Sequence, residues 1–570
     1  MSTAPTPPAP LTVRETLGLL DSGGARLFDH FEEAGYALWL GSGISFGRLR
    51  KLSDILRDAL GFLQIRVQPT DHNCRFRKAL NGALRLVLLD HELAAIDLNQ
   101  PVDSWPILID LLSRLTAKYA DMLDITVDGE EDDYLLWEGV RVTDAFADPT
   151  IEPDAEHLCI AILALEGLLP EIMSANWDGL IEKAAGQLSG NANLINVCVR
   201  AEDVRQVGFP VRLYKFHGCA VLALHDEKTY RPYLIARKSQ IDQWRENHPV
   251  LVQTLVNIIR SRATMMIGLS AQDSNIRSAF AAASATLNWP WPGAFPAIAF
   301  SQTQLGNDQL VLLKNVYRAE INPENRDEIQ ADSHIPTYAK QLLLALVLKI
   351  LSGKLKVLLH GAESNLPVLE RDHLAEGLVT LRDMIADAGS GDHYVFVRLF
   401  VEQFSRLVGI FRNGIVPLDP ALYRALTTSP ASHIAFDPGI PASGLQELAV
   451  AIATLGIGVR LGLWTLHPGV TTDPTSGALE IQTPIRRFRI FFAASAESSL
   501  KLFLSGRLSS ADYAIVIHSK TVMEAKPRSP VRSVGITGAK EPRAVSISTL
   551  LQEVSTASEM TQRFQREVAL

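Results

Sequence analysis

Short apolar runs that stop at a small or polar residue recur along the N-terminal part of this chain, and they narrow its possible folds more than any other feature. The first is Tyr36–Leu40, which ends at Gly41; largely apolar runs follow at 171–174, 194–199, 212–216, 264–267 and 297–300. Runs this short, without polar alternation, are what strands buried on both faces of a parallel sheet require. Between them lie stretches with helical spacing, such as 178–188 and 248–260. Strands that alternate with helices predict a doubly wound α/β domain.

The interval between the first two runs is far longer than a crossover needs, and Ile107, Leu108, Leu111, Leu112 and Leu115 recur there at helical spacing beside an acidic patch at 128–133. It reads as a mostly helical insertion at about 50–165 that serves as a lid, as an oligomer contact, or simply as padding of the sheet. The prolines at 5, 7, 8 and 10 make residues 1–12 a loose arm, and folding is expected from residue 13. The turn-rich Asn322-Pro323-Glu324-Asn325 marks a boundary, so that the first domain spans 13–325 and a second α/β domain spans 333–570. In the second, helices are expected at 338–351, 366–386 and 395–412, and strands at 355–359, 459–465, 488–492 and 513–518.

Composition limits the function classes. Of 570 residues only Cys74, Cys159, Cys198 and Cys219 are cysteines, none within three residues of another, which argues against a disulfide-stapled scaffold and against a Cys-only zinc knuckle. The N-terminus has no secretory pattern and the longest apolar runs, as around 342–351, fall short of a membrane span, so a cytoplasmic location without membrane contact is expected. The net charge of −9 argues against a chain that coats nucleic acid over its whole surface. The acidic excess lies before residue 330; a mild basic excess follows, concentrated at 481–550.

Four segments sit at the ends of predicted strands, where open α/β sheets bind ligands. Gly41-Ser42-Gly43-Ile44-Ser45 offers small residues at a strand-to-helix turn, which lets backbone N–H groups approach a phosphate. Ser174-Ala175-Asn176-Trp177-Asp178 places a carboxamide and a carboxylate two residues apart. Phe216-His217-Gly218 puts an imidazole, suited to general base work near neutrality, before a flexible glycine. Gly268-Leu269-Ser270-Ala271-Gln272-Asp273-Ser274-Asn275-Ile276 follows another strand. Taken singly, each has an ordinary explanation as a tight turn, a helix cap or a core histidine.

In this order and spacing the four segments resemble the sirtuin family, in its divergent bacterial branch, over residues 13–320. The resemblance implies a sirtuin-type, Rossmann-like sheet that binds NAD+ as substrate, with Gly41, Ser42, Gly43 and Ser45 in the cofactor-binding opening and Ser270, Asp273 and Asn275 in the later loop near the adenosine ribose. It further implies that Asn176 positions water at the nicotinamide ribose, that Asp178 orients that site, and that His217 acts as base. Three departures from the family stand out: the paired Cys-x-x-Cys zinc ligands are missing, Ala175 replaces a glutamine, and no Ser-Gly-Ile-Pro-x-Phe-Arg segment follows Ser45. They weaken the deacylase expectation and leave a zinc-free, metal-free NAD+ hydrolase that releases ADP-ribose and nicotinamide. The alternatives are an NAD-binding scaffold without turnover and an NAD-dependent protein deacylase.

Bacterial relatives of this kind serve as antiphage effectors, which implies a regulated enzyme, an oligomer when active, and a partner encoded nearby. The partner expected from size and charge is a short Argonaute engaged through an APAZ-type C-terminal region, or alternatively a HerA-like ATPase. Arg486, Arg487 and Arg489 beside Phe488, Phe491 and Phe492, with Lys526, Arg528 and Arg532, make 484–532 a candidate nucleic-acid contact, either direct or through that partner. The same arginines suit an ordinary solvated or salt-bridged strand.

Overall fold

The structure is a computed structural model that describes residues 11–570 except 192, 287–288, 390, 471–472, 474, 509–512, 520–542 and 569; the start of the proline-rich arm and the basic loop at 526–532 lie outside the described residues. Thr12 caps the first helix, Val13–Asp21, by accepting from the Glu15 backbone N–H at 3.1 Å while the Glu15 carboxylate accepts from the Thr12 N–H at 2.8 Å.

The apolar runs form β1 (Tyr36–Leu40), β2 (Glu171–Ser174), β3 (Ile195–Cys198), β4 (Val211–Lys215), β5 (Ala263–Ile267) and β6 (Ile298–Ser301), joined by a short β7 (His334–Ile335). All are parallel, in one seven-stranded sheet of order β3-β4-β2-β1-β5-β6-β7. Every residue of β1 and β5 is buried, because helices cover both faces. Side chains alternate between the faces: Tyr36, Leu38 and Leu40 join a core with Leu17 and Ile162, whereas Ala37 and Trp39 enter one with Trp244 and Phe280.

The chain runs from β1 to β2 beside it, on to β3 at the edge and back to β4 between those two, and then crosses to lay β5 against the other side of β1. In register, Leu40 lies opposite both Ser174 and Ile267, so the segments after β1, β2 and β5 leave the sheet at one edge. Such a reversal opens a crevice at the carboxyl ends of the strands.

Between β1 and β2 the helices Leu52–Gln64, Arg75–Arg85, Leu108–Thr116 and Tyr119–Leu123 build a core of their own around Leu56, Leu60, Leu80, Leu84, Leu111 and Leu115. These helices fall within the stretch 50–165. The chain then re-enters the sheet layer through the helix Ala155–Leu165, which is buried nearly all round and packs against the long helix Ala339–Gly361.

The C-terminal part holds a mixed five-stranded sheet, β8 (Thr465–Pro468), β9 (Leu479–Gln482), β10 (Arg487–Ala493), β11 (Ala514–His518) and β12 (Arg543–Ser546), in order β12-β11-β10-β9-β8. The last three strands run parallel, and β9 is antiparallel to both β8 and β10. The helices Val368–Ala388, His393–Asn413 and Leu445–Arg460 accompany it. Two strand expectations fail here. Residues 355–359 lie inside the Ala339–Gly361 helix, and 459–465 spans the end of the Leu445–Arg460 helix, with β8 starting only at Thr465. The expected helix at 338–351 forms and simply continues through Leu355, Val357, Leu358 and Leu359; an apolar run that short does not by its period distinguish a strand from the end of a helix.

The two parts share one continuous core. They are also clamped by a buried ion pair: Lys354 Nζ donates to Glu166 Oε2 at 2.6 Å, to the Glu166 carbonyl at 2.7 Å and to the Thr427 carbonyl at 2.8 Å. Glu166 Oε1 accepts from the Tyr423 hydroxyl at 2.7 Å and the Leu426 N–H at 2.9 Å. In β10, Arg487 pairs with Glu480 at 3.2 Å and Arg489 donates to the Thr475 carbonyl at 2.8 Å.

Candidate active site

The glycines that end β1 and β5 are required by each other. Gly41 N–H donates to the Ile267 carbonyl at 3.2 Å and Gly43 N–H to the Gly268 carbonyl at 3.0 Å. A Cβ on Gly43 would lie 2.6 Å from Gly268 Cα, and Gly268 itself has φ +65° with its Cβ position 2.8 Å from Ile44 N. The small residues therefore serve first to press two loops together. From Ser42 the chain makes a tight helical turn to Ser45, leaving Ser42 and Gly43 exposed and Ser45 buried.

Two contacts bind this turn to the loop after β2. The Asn176 carboxamide Nδ2 donates to the Gly41 carbonyl at 3.2 Å, and the Ser45 hydroxyl donates to Asp178 Oδ2 at 3.2 Å. Asp178 Oδ1 accepts from the Leu180 N–H at 3.1 Å, which starts the next helix. Below the loop, Lys215 at the end of β4 is fully buried, donates to the Asp178 carbonyl, and pairs with Glu182 at 2.5 Å. Burial pushes the ammonium pKa down, but the Cys219 thiol and the carboxylates of Glu182 and Asp178 outweigh it and raise it, so Lys215 stays charged.

The next residues after β4 bring in the imidazole. His217 Nε2 lies 3.1 Å from Asp273 Oδ2, both side chains being nearly buried. The approach is off the hydrogen-bond line, and Nε2 has no hydrogen-bond partner in the protein. Burial alone would push the Asp273 carboxyl up; His217 and the N–H groups of Asn275 and Ile276 outweigh it and hold the pKa below the usual carboxylate range. Trp177 Nε1 donates to the His217 carbonyl at 2.9 Å, which ties the imidazole segment to the loop that carries Asn176 and Asp178. Asp273 also caps the helix Ser274–Ser284 by accepting from the Asn275 N–H at 2.7 Å. The buried Asn275 Nδ2 has no partner, and Ser270 is exposed.

The structure thus joins Gly41, Ser45, Asn176 and Asp178 by direct bonds, joins His217, Asp273 and Asn275 in a second group, and links the groups through Trp177. Sequence reasoning placed Asp273 among ligand-binding residues and missed that it faces His217. It also missed Tyr119, which the insertion brings close enough that burial and the Asp273 charge push its phenol up to about 12. Lys215 left a signal that was overlooked: a lysine closing a strand that is otherwise apolar toward its end.

An imidazole beside a carboxylate suits proton transfer, and a carboxamide two residues from a carboxylate suits the orientation of a ribose or a water. The unpartnered buried atoms His217 Nε2 and Asn275 Nδ2 are groups that a polar, hydroxyl-rich ligand would satisfy, so these residues fit NAD+. A separate cleft of about 770 Å³ lies elsewhere, between Glu32, Lys356, His360 and Gln446; there Lys356 and His360 both face Asp372, at 3.3 and 3.2 Å. Among the described residues no cluster of metal-ligating side chains occurs, and no helix is long and apolar enough to cross a membrane.

Residues 170–305 match the SIR2-like domain family; the match takes in the segments after β2, β4 and β5, while Gly41–Ser45 lies before it and is brought in by the fold. No curated protein matches the chain. The stretch that carries Asn176, Asp178, His217 and Asp273 is thus similar to SIR2-like domains.

Proposed function

We propose that this crevice cleaves the bond between nicotinamide and ribose in NAD+ and passes the ribose to water, which makes the protein an NAD+ hydrolase. The observation that carries the reading is the pairing of His217 with Asp273 across from the Asn176–Asp178 loop, at the switch point of the sheet. NAD+ supplies the scissile bond and the ribose hydroxyls. The Asp273 carboxylate faces the imidazole at 3.1 Å, and we assign His217 as the base that takes a proton from a hydroxyl or water. Asn176 is tethered to Gly41 and presents its amide to the ribose side; Asp178, held by Ser45, keeps that loop in place. Oriented polar groups in a largely buried site lower the barrier without reorganising during the step.

The test is nicotinamide release from NAD+ by the full chain, alone and with the product of the neighbouring gene and nucleic acid. Asn176→Ala and His217→Ala are each expected to lower turnover by about a hundredfold or more with unchanged melting. Wild-type rates in both variants would overturn the assignment, and tight NAD+ retention with no product under every condition would select a binding scaffold instead.

We further read the chain as a regulated effector of bacterial antiphage defence that depletes NAD+ in the cytoplasm. The support for this is the resemblance of its four segments to the bacterial sirtuin branch and the presence of a second domain large enough to hold a partner. A short Argonaute bound through the C-terminal domain is the partner we propose, ahead of a HerA-like ATPase. A PIWI-domain gene beside this one, and co-purification of the two products, is the expected result.

A further inference from the structure

Behind Asp178 runs a hydrogen-bonded chain that leaves the crevice and ends on the C-terminal part of the molecule. Ser45 Oγ, which donates to Asp178 Oδ2, lies 3.1 Å from His157 Nε2. The ring's other nitrogen, Nδ1, accepts from the Asp154 backbone N–H at 3.0 Å. An Nδ1 that accepts leaves the proton on Nε2, so each link has one direction: Asp154 N–H to His157, His157 N–H to Ser45, Ser45 O–H to the Asp178 carboxylate. His157 is fully buried, and burial pushes its pKa down to about 4, which keeps the ring neutral and the directions intact.

Asp154 is the anchor. Its carboxylate pairs with Arg48 at 3.1 Å and with Lys340 at 2.8 Å. Lys340 stands in the first turn of the Ala339–Gly361 helix and also faces Glu156 at 3.8 Å. Arg48 lies over the ring of Tyr394, in the first turn of the His393–Asn413 helix, at 5.3 Å. Two helices that follow the SIR2-like sheet in sequence therefore converge on the residue that sets His157.

We propose that His157 is a positioning residue for the crevice: it holds the Ser45 hydroxyl on Asp178, and through Asp154 it makes that geometry depend on Lys340. This rests on the NAD+-cleaving reading of the site. The simplest competing role is local, because His157 is also the third helical residue after the Asp154 cap and completes its capping box.

Glutamine can serve both roles, its Oε1 accepting from the Asp154 N–H and its Nε2 donating to Ser45, whereas leucine serves neither; a residue that only caps would lower melting without touching kcat. In the full chain, at a temperature where it stays folded, His157→Leu is expected to lose about tenfold or more in kcat for nicotinamide release with KM nearly unchanged, and His157→Gln to recover most of that loss. Lower melting with wild-type kcat in His157→Leu would reduce His157 to a cap and overturn the proposal. Lys340→Met should lower kcat in the wild-type background and have no further effect in His157→Leu; additive losses would overturn the link to the C-terminal helix. A second readout stands apart from turnover: the ¹⁵N spectrum of the histidine rings in the full chain should show His157 neutral with its proton on Nε2, and Lys340→Met should shift that signal. The opposite tautomer, or a doubly protonated ring at neutral pH, would overturn the relay even if NAD+ proved not to be cleaved. Absence of turnover with the expected ring signals would count only against the NAD+-cleaving reading.

Discussion

Glu156, the neighbour of this relay, shows what a single buried charge does to the molecule. Its side chain is nearly inaccessible and Oε2 has no hydrogen-bond partner. Burial pushes its carboxyl up to about 7, only partly offset by a backbone N–H and by Lys340. A carboxyl raised in the folded state binds its proton more tightly there than in the unfolded chain, so its contribution is complete below about pH 4.5 and is lost as pH rises through 7. Glu156→Gln is therefore expected to equal wild type in urea melts near pH 4 and to exceed it by on the order of 2 kcal/mol at pH 8. At this scale the sequence was partly legible. Asn176, Asp178 and His217 stood out because each polar group follows an apolar strand. His157, Tyr119 and the facing of Asp273 toward His217 did not, because each depends on segments far apart along the chain meeting at one sheet edge.

Among the elements, the closing of the crevice depends on how tightly the turns after β1 and β5 pack. Gly268→Ala would force a side chain into a left-handed backbone at φ +65° and set its Cβ against Ile44 N. We expect a loss on the order of 2 kcal/mol in denaturant melts, with reduced turnover as the Gly41–Ser45 turn shifts. The glycines were read in the sequence as room for a phosphate; the structure spends that room on backbone contact between turns. The strands of the first sheet were legible because parallel strands are short, apolar and bounded by polar turns. The Ala339–Gly361 helix was only half legible. Its N-terminal half is buried, while the end that carries Lys356 faces the cleft; the Val368–Ala388 and Leu445–Arg460 helices nearby cross so closely that a Cβ on Gly377 would lie 2.1 Å from the Ala453 carbonyl oxygen.

For the molecule as a whole, the shared core and the Lys354–Glu166 clamp make the two parts one folding problem. Lys354→Met removes all three donated bonds and leaves the Glu166 carboxylate buried without its cation; the expected cost is about 3–5 kcal/mol, read as a lower midpoint in urea. A fragment that stops at residue 325 would expose the faces of the Val13–Asp21 and Ala155–Leu165 helices that the Ala339–Gly361 helix covers. It is expected to aggregate on size-exclusion chromatography where the full chain does not. A freely soluble, cooperatively folded fragment would show that the shared core is dispensable.

By itself the sequence determined the parallel sheet, the order of its strands along the chain and the loops that carry the polar groups. These follow from burial and backbone period, which act over a few neighbouring residues. Only the tertiary structure decided which loops touch, that Asp273 faces His217, and that a lysine of the C-terminal part reaches the back of the crevice through Asp154 and His157. Those pairings join positions separated by long stretches of chain, and a side chain records its partner only once the sheet has brought the strand ends together.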